Sequence, residues 1–212
     1  MDYPIYNQYL ETKRKLPNVL KLWPQWTMHP KDEKTAQIVV IGAILVQRTS
    51  WSNAEKALIA LKDVGLLDLE RIVNTPITKL TQLIRVAGFY STKPRRLQSI
   101  AHYIVENYGN IATMQKADKN QLRSELLNVY GIGNETADTI LLFALNKPSF
   151  IVDAYTMKFL NKYAIAHSEK YEVLQEEFQS VLPYDSKVYQ EYHILKIVDI
   201  KGIEESKMSV VE

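Results

Sequence analysis

Asp153 opens the segment Ala154 to Tyr163, which has the pattern of a helix. A carboxylate there can do either of two things. It can cap the helix by accepting from the exposed amides, a contribution of about 1 kcal/mol. Alternatively, because a helix N-terminus favours an ionised carboxylate, it can act as a preorganised anion beside a developing cation and orient or deprotonate a water. Upstream, Gly131-Ile132-Gly133 is a candidate tight turn between two helices. Glycines on either side of one apolar residue permit positive φ and a close backbone approach from outside. Ile132 can tuck between the helices. The amides of Gly131, Gly133 and the residues up to Thr136 then lie at a helix N-terminus, where a phosphate oxygen is welcome. The plain alternative is an ordinary helix–helix turn.

Three other groups carry possible chemistry. Lys93, Arg95 and Arg96 cluster at a helix start, where cations oppose the macrodipole. They either answer an external anion or form a solvated basic turn. Gln47 closes an apolar run; it is a surface polar residue or an amide able both to donate to and accept from a base. Trp23 and Trp26 flank Pro24, in a loop that either packs on the core or stacks on a base.

Periodicity supplies the elements that must position these residues. Helices are expected over 5–16, 35–47 (a buried one), from Ser50 or Ser52 to Gly65, 68–74 and 77–86. Gly88 closes one helix and Thr92 caps the next, with Pro94 in its first turn. A polar connector or short helix covers 111–117. Helix 119–130, the glycine turn, and a second helix with Ala137, Ile140, Leu141 and Ala144 on one face follow. Asn146-Lys147-Pro148 breaks the chain, Phe150-Ile151-Val152 is buried or extended, and helices 154–163, 169–182 and 184–200 complete an all-α pattern. The tail beyond Gly202 is polar and expected to fray.

The 212 residues are 46% hydrophobic and 24% charged, with 7 Gly and 8 Pro, a globular composition. There is no cysteine, which removes disulfides, thiolate zinc sites, cysteine nucleophiles and a cysteine-ligated iron–sulfur cluster. The net charge of +2 is too small to argue for nucleic acid by itself, so a basic surface must be local. No run approaches the roughly 18 apolar residues of a membrane span. No signal core is visible at the N-terminus. A soluble, cytoplasmic, nucleoid-associated protein of bacterial type is expected.

Taken together, LLNVYGIGNETADTILLFALNKPSFIVDAYTMKFLNKY at 126–163 resembles the helix–hairpin–helix motif and catalytic-aspartate loop of the endonuclease III superfamily of DNA glycosylases. The Thr136-Ala137 pair and Val152-Asp153 fall where that family has T-A and V-D. GAILVQRTSWSNAEKAL at 42–58 is similar to a second family segment. Within the superfamily the chain looks closest to cluster-free, endonuclease III-type bacterial 3-methyladenine DNA glycosylases. The supporting features are the absent cysteines, the WPQW segment, and the hairpin G-I-G-x-E-T-A-D.

The resemblance implies a two-lobed helical glycosylase fold without an iron–sulfur cluster. One lobe would run from 37 to 147; the other would join 1–36 to 148–212. It implies Asp153 as the catalytic carboxylate and double-stranded DNA with a damaged base as partner. Gln47 would enter the space left by a flipped nucleotide. Gly131, Ile132, Gly133, Thr136, Lys93 and Lys158 would contact DNA. Lys158 replaces the family's arginine, which keeps charge and loses bidentate geometry. Trp23, Trp26, Glu135 and Lys201 would line the base pocket; a different register puts Lys196 in the place of Lys201. Glu135 stands where bifunctional members carry the lysine that attacks the sugar, and a glutamate cannot form an imine. The expectation is therefore a monomeric, monofunctional hydrolase of alkylated purines, with no cofactor and no metal implied. Relatives can hold a monovalent cation on the hairpin carbonyls. The alternatives are a glycosylase for oxidised pyrimidines or mismatches, and a non-catalytic DNA-binding protein.

Overall fold

The computed structural model describes residues 3–19 and 32–202, and every regular element among them is helical. The Trp23 and Trp26 segment lies outside the described residues. In chain order the helices are α1 (Pro4–Lys15), α2 (Glu33–Leu45), α3 (Trp51–Asp63), α4 (Leu69–Val73), α5 (Ile77–Leu83), α6 (Lys93–Tyr108), α7 (Ile111–Met114), α8 (Lys119–Asn128), α9 (Asn134–Thr139), α10 (Ala154–Lys162), α11 (Tyr171–Val181) and α12 (Ser186–Lys201). Local chemistry sets many of the starts. Asp32, Ser50, Asp68, Asn110, Asp118, Asp153 and Asp185 each cap the helix that follows by accepting from a first-turn amide. Such caps satisfy donors that the helix itself cannot.

The chain folds into two units, residues 30–146 and residues 1–29 with 147–212. In the first, α2 is the hub. Val39, Val40, Ile41, Ala43, Ile44 and Leu45 are all buried, as a helix apolar on every side must be. It packs against α3, α6 and the π-helical turn Ile140–Ala144 that continues α9. The wider π turn closes with Leu145 N–H donating to Ile140 O at 3.1 Å. It buries all five of its residues, where a regular α-helix was expected to bury one face. The α2 helix stops at Leu45, two residues short of the expected end, and Arg48 turns the chain at φ 53°. The expected 77–86 helix is divided into α5 and a 3-10 turn, Arg85–Ala87, ahead of Gly88 at φ 75°.

The second unit is built on α1, α10, α11 and α12 around an aromatic cluster. Phe150 stacks on Phe178 with centroids 4.1 Å apart, and meets Tyr189 and Tyr192 edge-on at 5.7 and 5.8 Å. Tyr192 also contacts Phe159 and Tyr9, and its hydroxyl donates to Ile5 O. Edge-on and offset pairs of this kind add to the burial of the rings. The extended stretch before Asp153 has no neighbouring strand among the described residues, and side chains serve its backbone. Gln175 donates to Phe150 O at 2.6 Å, and Phe150 N–H donates to Gln179. This meets the requirement that buried peptide groups be paired.

Candidate active site

Asp153 caps α10 through a reciprocal pair. Its Oδ1 accepts from Thr156 N–H at 2.7 Å and from Thr156 Oγ1 at 2.8 Å, while the Asp153 N–H donates to Thr156 Oγ1 at 3.1 Å. The fully buried Lys196 of α12 places Nζ 3.6 Å from Oδ1. That ammonium is itself held by Ile151 O at 3.1 Å, by a short bond to Thr156 Oγ1, and by the Phe150 ring. The other oxygen, Oδ2, makes no hydrogen bond among the described residues and faces His193 Nδ1 at 3.8 Å. Burial pushes the Asp153 carboxyl up. Lys196, His193 and the Thr156 donors outweigh it, so the group lies below the usual carboxylate range. One oxygen is saturated and the other is presented: an ionised carboxylate with one oxygen placed for work on a water or a cationic centre.

The glycine turn forms its own cluster within residues 30–146. Gly131 has φ 84°, and a Cβ on it would fall 2.2 Å from Arg96 Cγ. Glycine is therefore demanded twice, by conformation and by the arginine lying across it. Gly133 is in extended backbone with open space beyond its Cα, and Ile132 is buried. Gln47 Nε2 donates to Gly131 O at 3.1 Å and to Thr136 Oγ1 at 3.0 Å, and its Oε1 accepts from Arg96 Nη1 at 2.7 Å. The amide thus braces the turn, and to reach a base it must exchange those bonds. Arg123 of α8 clamps Asp138 of α9 with bonds of 2.9 and 3.0 Å and also reaches Asn134.

Several expected roles change. Lys93 does not belong to the surface cluster: it is fully buried and donates to Leu45 O at 2.8 Å and Ala87 O at 2.6 Å. Burial, with a contribution from Arg96, lowers its pKa to about 8. It ties the end of α2 to the 3-10 turn. Arg95 is exposed and Arg96 serves the hairpin. Thr136 is buried with its hydroxyl turned to Gln47. Lys201 is exposed against the Tyr155 ring, and it is Lys196 that approaches Asp153. Lys158 is exposed beside the same ring, and Glu135 is exposed in the first turn of α9. His193 was not anticipated. Its signal was a pair of basic residues three apart, His193 and Lys196, within a helix otherwise buried through Tyr189, Tyr192 and Leu195. Among the described residues, no group of three or more His, Asp or Glu side chains could hold a metal ion.

Residues 41–184 match the model of the HhH-GPD superfamily of base excision DNA repair proteins. The chain belongs to that superfamily. It is 46% identical over 171 residues to a Methanocaldococcus jannaschii protein provisionally named a DNA repair glycosylase, covering 79% of this chain and 78% of that one. The endonuclease III of Thermotoga maritima is 31% identical over 147 residues, 69% of this chain and 65% of that one. Among solved structures, an H. pylori 3-methyladenine DNA glycosylase bound to 1,N6-ethenoadenine superposes with a TM-score of 0.75 at 25% identity, covering 92% of this chain and 98% of that one. An endonuclease III–DNA complex shares the fold with a TM-score of 0.66 at 16% identity, covering 90% and 85%. This HhH-GPD member has the all-α fold without a cysteine-ligated iron–sulfur cluster that its motifs implied.

Proposed function

We propose that this HhH-GPD protein is a monofunctional DNA glycosylase that hydrolyses the N-glycosidic bond of an alkylated purine such as 3-methyladenine. The observation that carries the reading is the asymmetric carboxylate of Asp153, with Oδ1 committed to Thr156 and Lys196 and Oδ2 left presented. As the C1′–N bond breaks, its electron pair leaves with the base and positive charge builds on the sugar, as in glycoside hydrolysis. Asp153 stabilises that charge. Water adds to C1′ and its proton passes to Oδ2. A base that is already cationic departs neutral and needs no general acid. The nucleotide must leave the stack for its sugar to be reached.

The alkyl-purine assignment is supported by the similarity to an H. pylori protein named for 3-methyladenine. The absence of lyase activity is supported by Glu135, which has no amine with which to attack the sugar. In this reading Gly131 and Gly133 offer backbone amides to a phosphate, and Gln47 reaches toward the vacated space. Phe89, half-exposed at φ 47°, is the kind of apolar side chain that wedges between base steps.

The deciding experiment is base release from a methylated duplex, with and without borohydride. Release of 3-methyladenine with no trapped adduct is the expected result. A trapped adduct would overturn the monofunctional mechanism. Excision of oxidised pyrimidines alone would move the substrate while keeping Asp153.

A further inference from the structure

The structure assigns a second polar side chain to the work of Asp153. We propose that His193 is a positioning residue whose Nδ1–H holds Asp153 Oδ2 in the orientation that receives the water proton. The proposal rests on the reading of Asp153 as the reactive carboxylate.

The argument begins with the two oxygens. Oδ1 is fixed by Thr156 from its own helix and by Lys196 from α12. Lys196 is fully buried and locked by a carbonyl, a hydroxyl and a ring, so it cannot serve both oxygens. One helical turn away on the same face of α12, His193 presents Nδ1 at 3.8 Å from Oδ2. An ionised carboxylate can only accept. The proton of a neutral imidazole facing it therefore sits on Nδ1, the tautomer a positioning role requires. At 3.8 Å the contact is longer than a hydrogen bond, and a small rotation of either group closes it. Catalytic hydrogen bonds are often long before substrate arrives.

The imidazole is suited to this and not to acting as a cation. The charged and titratable groups facing it are Asp153, at the head of α10, and Lys196 of its own helix; burial and the Lys196 charge outweigh the attraction of Asp153 and hold its pKa down at about 4. The Tyr171 hydroxyl, from α11, accepts from Val152 N–H in the aspartate loop at 3.4 Å. A neutral donor leaves the charge of the carboxylate intact for the sugar. A protonated histidine in the same place would cancel much of it.

The test uses two variants of the full chain. His193→Phe keeps the ring and removes the donor, whereas His193→Asn keeps an N–H near the Nδ1 position. Two readouts are taken: base release from methylated DNA as kcat and KM, and titration of the Asp153 carboxyl by 13C NMR. His193→Phe is expected to lower kcat about tenfold or more with little change in KM, the pattern of a lost transition-state contact, and to raise the carboxyl pKa and the acidic limb of the rate profile together. His193→Asn is expected to recover most of both. Unchanged kcat and carboxyl titration in a folded His193→Phe protein would overturn the proposal. Equal impairment of both variants would also overturn it, since packing and not the donor would then be at stake. Should the wild-type protein release no base from any lesion, the glycosylase reading fails by itself. The carboxyl titration of the two variants still decides whether His193 holds Oδ2.

Discussion

Asp153 caps α10 and, in the proposed mechanism, is also the reactive carboxylate; a substitution can separate the two. Asp153→Asn keeps an oxygen able to accept from Thr156 N–H and preserves the size of the side chain, so α10 should still form. It removes the negative charge and the proton acceptor. Base release is expected to fall by at least about a thousandfold, as when a preorganised electrostatic or acid–base partner is lost, while binding to lesion DNA measured by anisotropy stays within a few-fold. Gly131 is the other residue with no substitute. Gly131→Ala places a Cβ 2.2 Å from Arg96 Cγ at φ 84°. The conformational part alone costs about 1–2 kcal/mol, and urea unfolding should register at least that. Adding Arg96→Ala relieves the clash but not the conformational strain, so the double variant should recover only in part. These residues were legible because their signals are local: a V-D at a helix head and two glycines around Ile132. Lys93 misled because a run of cations does not say which one points inward. Its register did say so. Lys93, Leu97, Ile100, Ala101 and Ile104 form one stripe, and all are buried.

At the scale of elements, the Arg123–Asp138 ion pair joins α8 and α9 across the glycine turn. Asp138 is fully buried and Arg123 is 22% exposed in its side chain, with bonds of 2.9 and 3.0 Å. A buried pair of this kind is worth less than its loss costs, because removing one partner strands the other. Arg123→Ala is therefore expected to destabilise the protein by about 3 kcal/mol. Arg123→Ala with Asp138→Ala should cost less than the sum of the two single changes, measured by urea unfolding as a double-mutant cycle. Most helices were readable from caps and periodicity, and the misses have physical causes. The π turn at Ile140–Ala144 carries no distinctive residue, and a run of ILLFA fits either an α or a π winding. The α2 stop at Leu45 is set by Lys93 accepting the role of a C-terminal donor from 48 residues away, which no local pattern can reveal. For the same reason the Thr156, Lys196 and His193 surroundings of Asp153 were hidden: two of the three come from a helix 40 or more residues on, whose apolar face gave them the look of interruptions.

The molecule as a whole carries a net charge of only +2, so its response to pH is set by a few buried groups. Below neutral pH, the window of His193 stands apart from that of the carboxylates. Burial, reinforced by Lys196, holds its folded pKa at about 4 against an ordinary 6.5. Between those values the unfolded chain binds a proton that the folded chain refuses, so stability falls as pH drops. It is fully present above 6.5 and lost progressively down to about 4. The shift corresponds to about 3 kcal/mol. The carboxyl groups held below their usual range, Asp153, Glu125 and Asp32, act in the same direction but at lower pH. Urea unfolding of the wild-type protein at pH 7, 5.5 and 4 should therefore show a decline that begins above the carboxylate range. In His193→Phe the decline between 6.5 and 4 should be shallower by about that amount, and it should steepen only below 4. Parallel curves for the two proteins would mean that the imidazole is not held neutral beside Asp153. A shallower curve in the variant would tie the acid sensitivity of the whole chain to the residue that faces the presented oxygen of its carboxylate.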